Sequence, residues 1–168
     1  MVILFYLSSV VALLAAAMAI SRRNAFHALL YVVVSLLAVA VIFLTLGAPF
    51  AAALEVIIYA GAIIVLFVFV VMMLNLGPSA VRRENGFLTP TMWIGPGLLA
   101  LVLLAELIVI VSSGDTGSTA TAIGPDEVAL SLFGPYVIGV ELASFLLLAG
   151  LVGAAYLGSG ARITGGDR

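Results

Sequence analysis

Glu55 and Tyr59 stand four residues apart in "ALEVIIYAGAI", residues 53–63, inside a run that is otherwise hydrocarbon. On an α-helix that spacing stacks both side chains on one face, where a phenol can donate to a carboxylate or hold a water beside it. Gly61 follows at once. It either lets a neighbouring helix approach closely or permits a local bulge, with an extra residue in one turn, that frees backbone groups beside the acid. A carboxylate in apolar surroundings is costly unless it is paired, hydrated or protonated. The chemistry within reach is therefore proton holding and transfer, or a hydrogen bond that ties one helix to another.

Two more acids belong with Glu55. "PFAAALE" at 49–55 and "PYVIGVE" at 135–141 share a proline, an aromatic residue and a glutamate at the same spacing. If each proline marks a first helical turn, Glu55 and Glu141 lie about 9 Å beyond it. Glu106, between "LVLLA" and "LIVIV", is a third polar candidate. No arginine falls inside an apolar run to pair with any of them. The plainer readings are that Glu55 and Glu141 extend to the headgroups and that Glu106 makes a structural bond to a neighbouring helix; Tyr59 could equally be a packing residue.

Other chemistries are excluded. Cysteine is absent, so thiolate catalysis and cysteine-ligated clusters lack their residues; no Ser-His-Asp arrangement is present, and His27, the single histidine, could hardly make a metal site by itself. No metal site is expected, and any cofactor would sit in another chain. His27 reads as an interfacial hydrogen-bonding residue. "GDTGSTATAIG" has glycines but no lysine and follows no strand, so it is not a phosphate-binding loop. With a net charge of -2 and no basic cluster larger than a pair, the chain is not a nucleic-acid binder.

The elements that must position these residues are set by composition. With 65% hydrophobic and 8% charged residues, the chain reads as an integral membrane protein. Five spans are predicted, at 2–20, 28–46, 50–76, 92–111 and 136–157, all helical because a spanning backbone must satisfy its own hydrogen bonds. The fold class is all-α, a single five-helix membrane domain over 1–168. The first apolar run has no basic residue before it and reads as a retained span. "SRRN" and "GAP" are tight turns, 77–90 is a moderate polar loop, and 112–135 is a long, flexible, acidic one. All six arginines fall on one side if five spans alternate: Arg22 and Arg23, Arg82 and Arg83, then Arg162 and Arg168. Asp115, Asp126 and Glu127 fall on the other. The positive-inside rule then gives an external N-terminus and a cytoplasmic C-terminus, with Arg22, Arg23, Arg82 and Arg83 as topology determinants and lipid-headgroup ligands. Trp93 and Tyr6 sit near span ends, at headgroup level.

Several blocks carry a resemblance: residues 24–77, from "NAFHALLY" through "LEVIIYAGAIIVLFVFVVMMLNLG", then "WIGP" at 93–96 and "LFGPYVIGVELASFLLLAGLVGA" at 132–154. They resemble the subunit J family of bacterial proton-pumping NADH:quinone oxidoreductase, counterpart of mitochondrial complex I subunit 6. The resemblance implies a multi-pass inner-membrane subunit of the membrane arm, without catalytic activity of its own, beside subunits K, H, A and N. It implies that FMN, iron–sulfur clusters and quinone are held by other subunits. It further implies a π-bulge at Tyr59, Ala60 and Gly61 that switches between bulged and regular forms, with Glu55 and Tyr59 in a relay of acids and waters and Glu141 as a family-typical position. Glu106 departs from the resemblance, which implies an apolar residue there, and the loop at 112–131 is poorly matched. A static scaffold is the rival reading, and an independent small transporter a third.

Overall fold

The computed structural model describes residues 1–74, 90–112 and 122–163. Every regular element among them is helical: α1 (Val2–Ser21), α2 (Ala25–Thr45), α3 (Pro49–Leu54), a π-helical segment (Glu55–Ile63), α4 (Ile64–Leu74), α5 (Pro90–Ser112), α6 (Pro125–Phe133) and α7 (Val137–Ile163). Five stretches are long and apolar enough to cross a bilayer: Val2–Ser21, Ala25–Thr45, Pro49–Met73, Trp93–Ser112 and Val137–Ser159. These match the five predicted spans to within a few residues. Arg82, Arg83, Asp115 and Arg168 lie outside the described residues.

The chain forms two compact units, Met1–Gly124 and Pro125–Arg168. In the first, α1 packs along α2, and both meet α5. Their shared core is Val11 and Ala15 of α1, Val34, Ala38 and Val41 of α2, and Leu103 and Ile110 of α5. The spacings of three, four and seven residues put each set on one helical face. Lipid is as apolar as these side chains, so burial alone does not hold them together; close packing and interhelical hydrogen bonds do. Ala15 and Ala38 are fully buried, and their size lets the backbones approach. Ser35 Oγ donates to the Ala12 carbonyl at 3.1 Å, adding a bond between α1 and α2.

Local chemistry ends and starts these helices. Asn24 caps α2, its Oδ1 accepting from the N–H groups of Phe26 at 2.9 Å and His27 at 3.3 Å. The turn into α3 passes through Gly47 at φ 77, a conformation that a Cβ disfavours. Pro49 opens α3, where its missing N–H is no loss. The Ile123 N–H returns to the Gly47 carbonyl at 3.0 Å, so the chain after α5 comes back to the α2–α3 turn.

The second unit differs from the expectation for 112–135, because α6 lies inside the predicted loop. Pro125 at its start and Asp126 and Glu127 in its first turn are favourable helix-opening chemistry, the acids facing the positive end of the helix dipole. Gly134 ends it, in a position where a Cβ would come within 2.6 Å of the Leu130 carbonyl oxygen. The Tyr136 N–H then bonds to Ser131 O at 3.1 Å, and α7 begins at Val137.

Candidate functional site

The third span is built in three pieces because its middle is wound differently. At the exit of the Glu55–Ile63 segment the Ile64 N–H reaches back to the Tyr59 carbonyl, five residues earlier, as well as to Gly61. Such i→i+5 winding is rare and usually confined to a single turn. Gly61 shows why this sequence allows it: a Cβ there would meet the Val56 carbonyl oxygen, also five residues back, at 3.1 Å. The obstructing atom is backbone and cannot rotate away. Tyr59, Ala60 and Gly61 all lie inside the segment, and Glu55 is its first residue.

The wider winding keeps Tyr59 about one turn on from Glu55, on the same side of the helix. Among the described residues the two make no side-chain hydrogen bond, to each other or to anything else; Tyr59 is half exposed and Glu55 partly buried. An apolar cleft of ≈ 540 Å³, which neither of them lines, runs between α2, α3, the start of the π segment and α5, with Leu37, Leu44, Ala52, Val56, Ile57 and Leu104 in its walls. Every lining residue of that cleft is apolar.

Glu106 has a different setting. It sits on the α5 face that carries Leu103 and Ile110, and only 3% of it is exposed. Ser8 of α1, fully buried, donates through Oγ to Glu106 Oε2. Glu106 Oε1 is buried and has no hydrogen-bond partner. Of the readings open to it, the structure gives the interhelical bond. Sequence reasoning did not find Ser8 as the partner, although the signal was there: Ser8 is about 9 Å inside the start of α1 and Glu106 about 9 Å inside the end of α5, level with each other in antiparallel spans.

At the opposite end of this unit Arg22 lies over the Tyr31 ring, its guanidinium carbon 5.2 Å from the centroid. Its Nη2 donates to Tyr31 Oη at 3.4 Å and to Met18 Sδ at 3.3 Å. The His27 and Tyr31 rings lie 5.1 Å apart. Arg22, expected as a headgroup ligand, thus has partners within the chain, whereas Arg23 is exposed. Glu141 is in the second unit, near the start of α7, and exposed there. Among the described residues no group of three His, Cys, Asp or Glu side chains could hold a metal ion.

Comparison with known proteins places this geometry in context. The profile of a family described as NADH-ubiquinone/plastoquinone oxidoreductase chain 6 matches residues 15–157. NADH-quinone oxidoreductase subunit J of Pseudomonas aeruginosa is 55% identical over 156 residues, covering 92% of this chain and 94% of that protein. Subunit J of Escherichia coli is 52% identical over 155 residues, 92% of this chain and 84% of that one. The Buchnera aphidicola subunit from Schizaphis graminum is 47% identical over 155 residues, 92% and 95% of the respective chains.

Proposed function

Because the chain belongs to the NADH-ubiquinone/plastoquinone oxidoreductase chain 6 family, we propose that it is a structural subunit of the membrane arm of a proton-translocating NADH:quinone oxidoreductase. It is a multi-pass protein of the bacterial inner membrane and does not catalyse the reaction itself. The observation that carries the structural reading is where its polar side chains are spent. Ser35 on Ala12, Ser8 on Glu106 and Arg22 on Tyr31 each join one part of the bundle to another. The cleft beside the π segment, by contrast, is lined by apolar groups alone. A subunit that wedges and seals its neighbours needs such internal ties and apolar outer faces. FMN, iron–sulfur clusters and quinone then belong to other subunits, and by the resemblance the neighbours are subunits K, H, A and N together with membrane lipid.

A second reading is favoured by one specific observation, the π segment itself. An i→i+5 stretch that begins at a glutamate is a candidate two-state element, since return to α winding would rotate Glu55 and Tyr59 relative to whatever lies beside them. In this reading Glu55, Tyr59 and Glu141 are relay groups, and Tyr59, Ala60 and Gly61 are the gate.

Gly61→Val separates the two, because a β-branched side chain against the Val56 carbonyl disturbs the π winding. The structural reading expects less assembled complex with normal quinone-coupled turnover per particle. The gating reading expects near-normal assembly and depressed quinone-coupled turnover, while electron transfer from NADH to an artificial acceptor persists. Turnover per assembled particle in reconstituted membranes is the deciding measurement, and a loss there with full assembly would displace the structural reading.

A further inference from the structure

The five spans are apolar nearly all round, whereas α6 divides by polarity. Glu127 and Ser131, four residues apart, share one side of it. Val128 with Leu132 and Ala129 with Phe133 repeat that spacing around the rest of the helix, and Leu130 stands three residues before Phe133. Asp126 lies one turn before Leu130, so the apolar side opens toward the C-terminal end. That side is largely uncovered. Leu130 is 75% exposed and Phe133 76%, Leu132 is exposed as well, and only Val128 is partly buried, although α6 touches α7. A helix of nine residues does not hold in water by propensity, and its apolar side needs a surface.

The chain meets a membrane boundary on each side of α6. Upstream, the Ile123 N–H bonds to the Gly47 carbonyl, in the turn between the second and third spans. Downstream, Gly134, Pro135 and Tyr136 lead straight into α7, whose apolar span begins at Val137. A connection between consecutive spans leaves and re-enters one face, and with five alternating spans that is also the face of the Gly47 turn. A helix about 14 Å long, joined to a span by so short a turn, stays at that surface. The apolar cover on offer there is the boundary between headgroups and acyl chains. We propose that α6 is an interfacial helix that binds bilayer lipid, with Leu130, Leu132 and Phe133 against the acyl chains and Glu127 and Ser131 toward water. Asp126 sits at the end away from α7, where a shallow tilt keeps its carboxylate among the headgroups. The acids offer anionic lipid no attraction, so binding rests on apolar area and zwitterionic lipid suffices. Neither the structural nor the relay reading uses a residue of α6, so its success or failure is independent of them.

Photocrosslinking in the assembled complex, reconstituted in phosphatidylcholine bilayers, tests this. With benzoylphenylalanine in place of Leu130 or Phe133, illumination should give lipid adducts of this chain several-fold more abundant than with the same replacement at Ser131. Adducts at 130 and 133 that join another polypeptide instead would overturn the proposal, as would equal lipid labelling at all three positions. Should the substituted chains fail to assemble, the unmodified complex reads the same surface. In bilayers containing a phosphatidylcholine with a photoreactive group near the glycerol end of one acyl chain, label should appear on the peptide spanning Val128–Phe133. Label on the spans with none on that peptide would count equally against it.

Discussion

At Gly95 a single methyl group would collide with the Tyr31 hydroxyl, and the ring that would have to move is the one under Arg22. Gly95→Ala should therefore lower thermal stability of the assembled protein by about 1–3 kcal/mol, the usual range for overpacking. Gly97→Ala, two residues on with nothing near its Cβ position, should be neutral or stabilising by up to about 1 kcal/mol. Removing the obstructing hydroxyl with Tyr31→Phe should recover part of the Gly95→Ala loss, and a double-mutant cycle of melting temperatures checks this. The same scale shows what a linear reading can reach. Glu55, Tyr59 and Gly61 are conspicuous because they are polar or small in an apolar run. The Val56 carbonyl that makes Gly61 matter is also near in sequence. Tyr31 against Gly95 and Ser8 on Glu106 are contacts between residues far apart in the chain, invisible until the helices are placed side by side.

Among the elements, α6 depends most on its ends. It is nine residues long, too short to be stable by propensity alone, and the acids of its first turn are its clearest local support. Changing Asp126 to Asn and Glu127 to Gln together should remove about 0.3–1 kcal/mol per charge, less in high salt. Faster amide hydrogen exchange at Leu132 and Phe133, with α7 unaffected, is the expected outcome. The helix was legible in "GPDEV", which has a proline start and acidic first turn. It is masked by the glycines and serines before it, which make the whole of 112–135 read as loop. The reverse holds for the third span. Hydropathy sees one continuous run over Pro49–Met73, because it registers the apolar composition of the stretch and not the winding of its backbone.

For the whole molecule, charge sets an expectation for the side of the membrane: if five spans alternate, six arginines fall on one set of connections and none on the other. Single cysteines at Ser79 and Ser118 should be labelled by an impermeant reagent from opposite faces of sealed vesicles, with Ser79 cytoplasmic; labelling from one face would exclude five alternating spans. The antiparallel meeting of α1 with α5, level at Ser8 and Glu106, agrees with that alternation. The π segment also bears on how the chain tolerates change in length. Each i→i+5 turn takes up one residue more than an i→i+4 turn, so Glu55–Ile63 holds slack that no other described span possesses. A residue deleted there can be absorbed by a return toward α winding, with Ile64 still coming back to its buried place. The same deletion in the middle of α2 has no such reserve. It would turn the residues beyond it by about 100° and swing Val41 out of the core. Insertions and deletions between related chains should therefore be tolerated at the π segment and refused along α2.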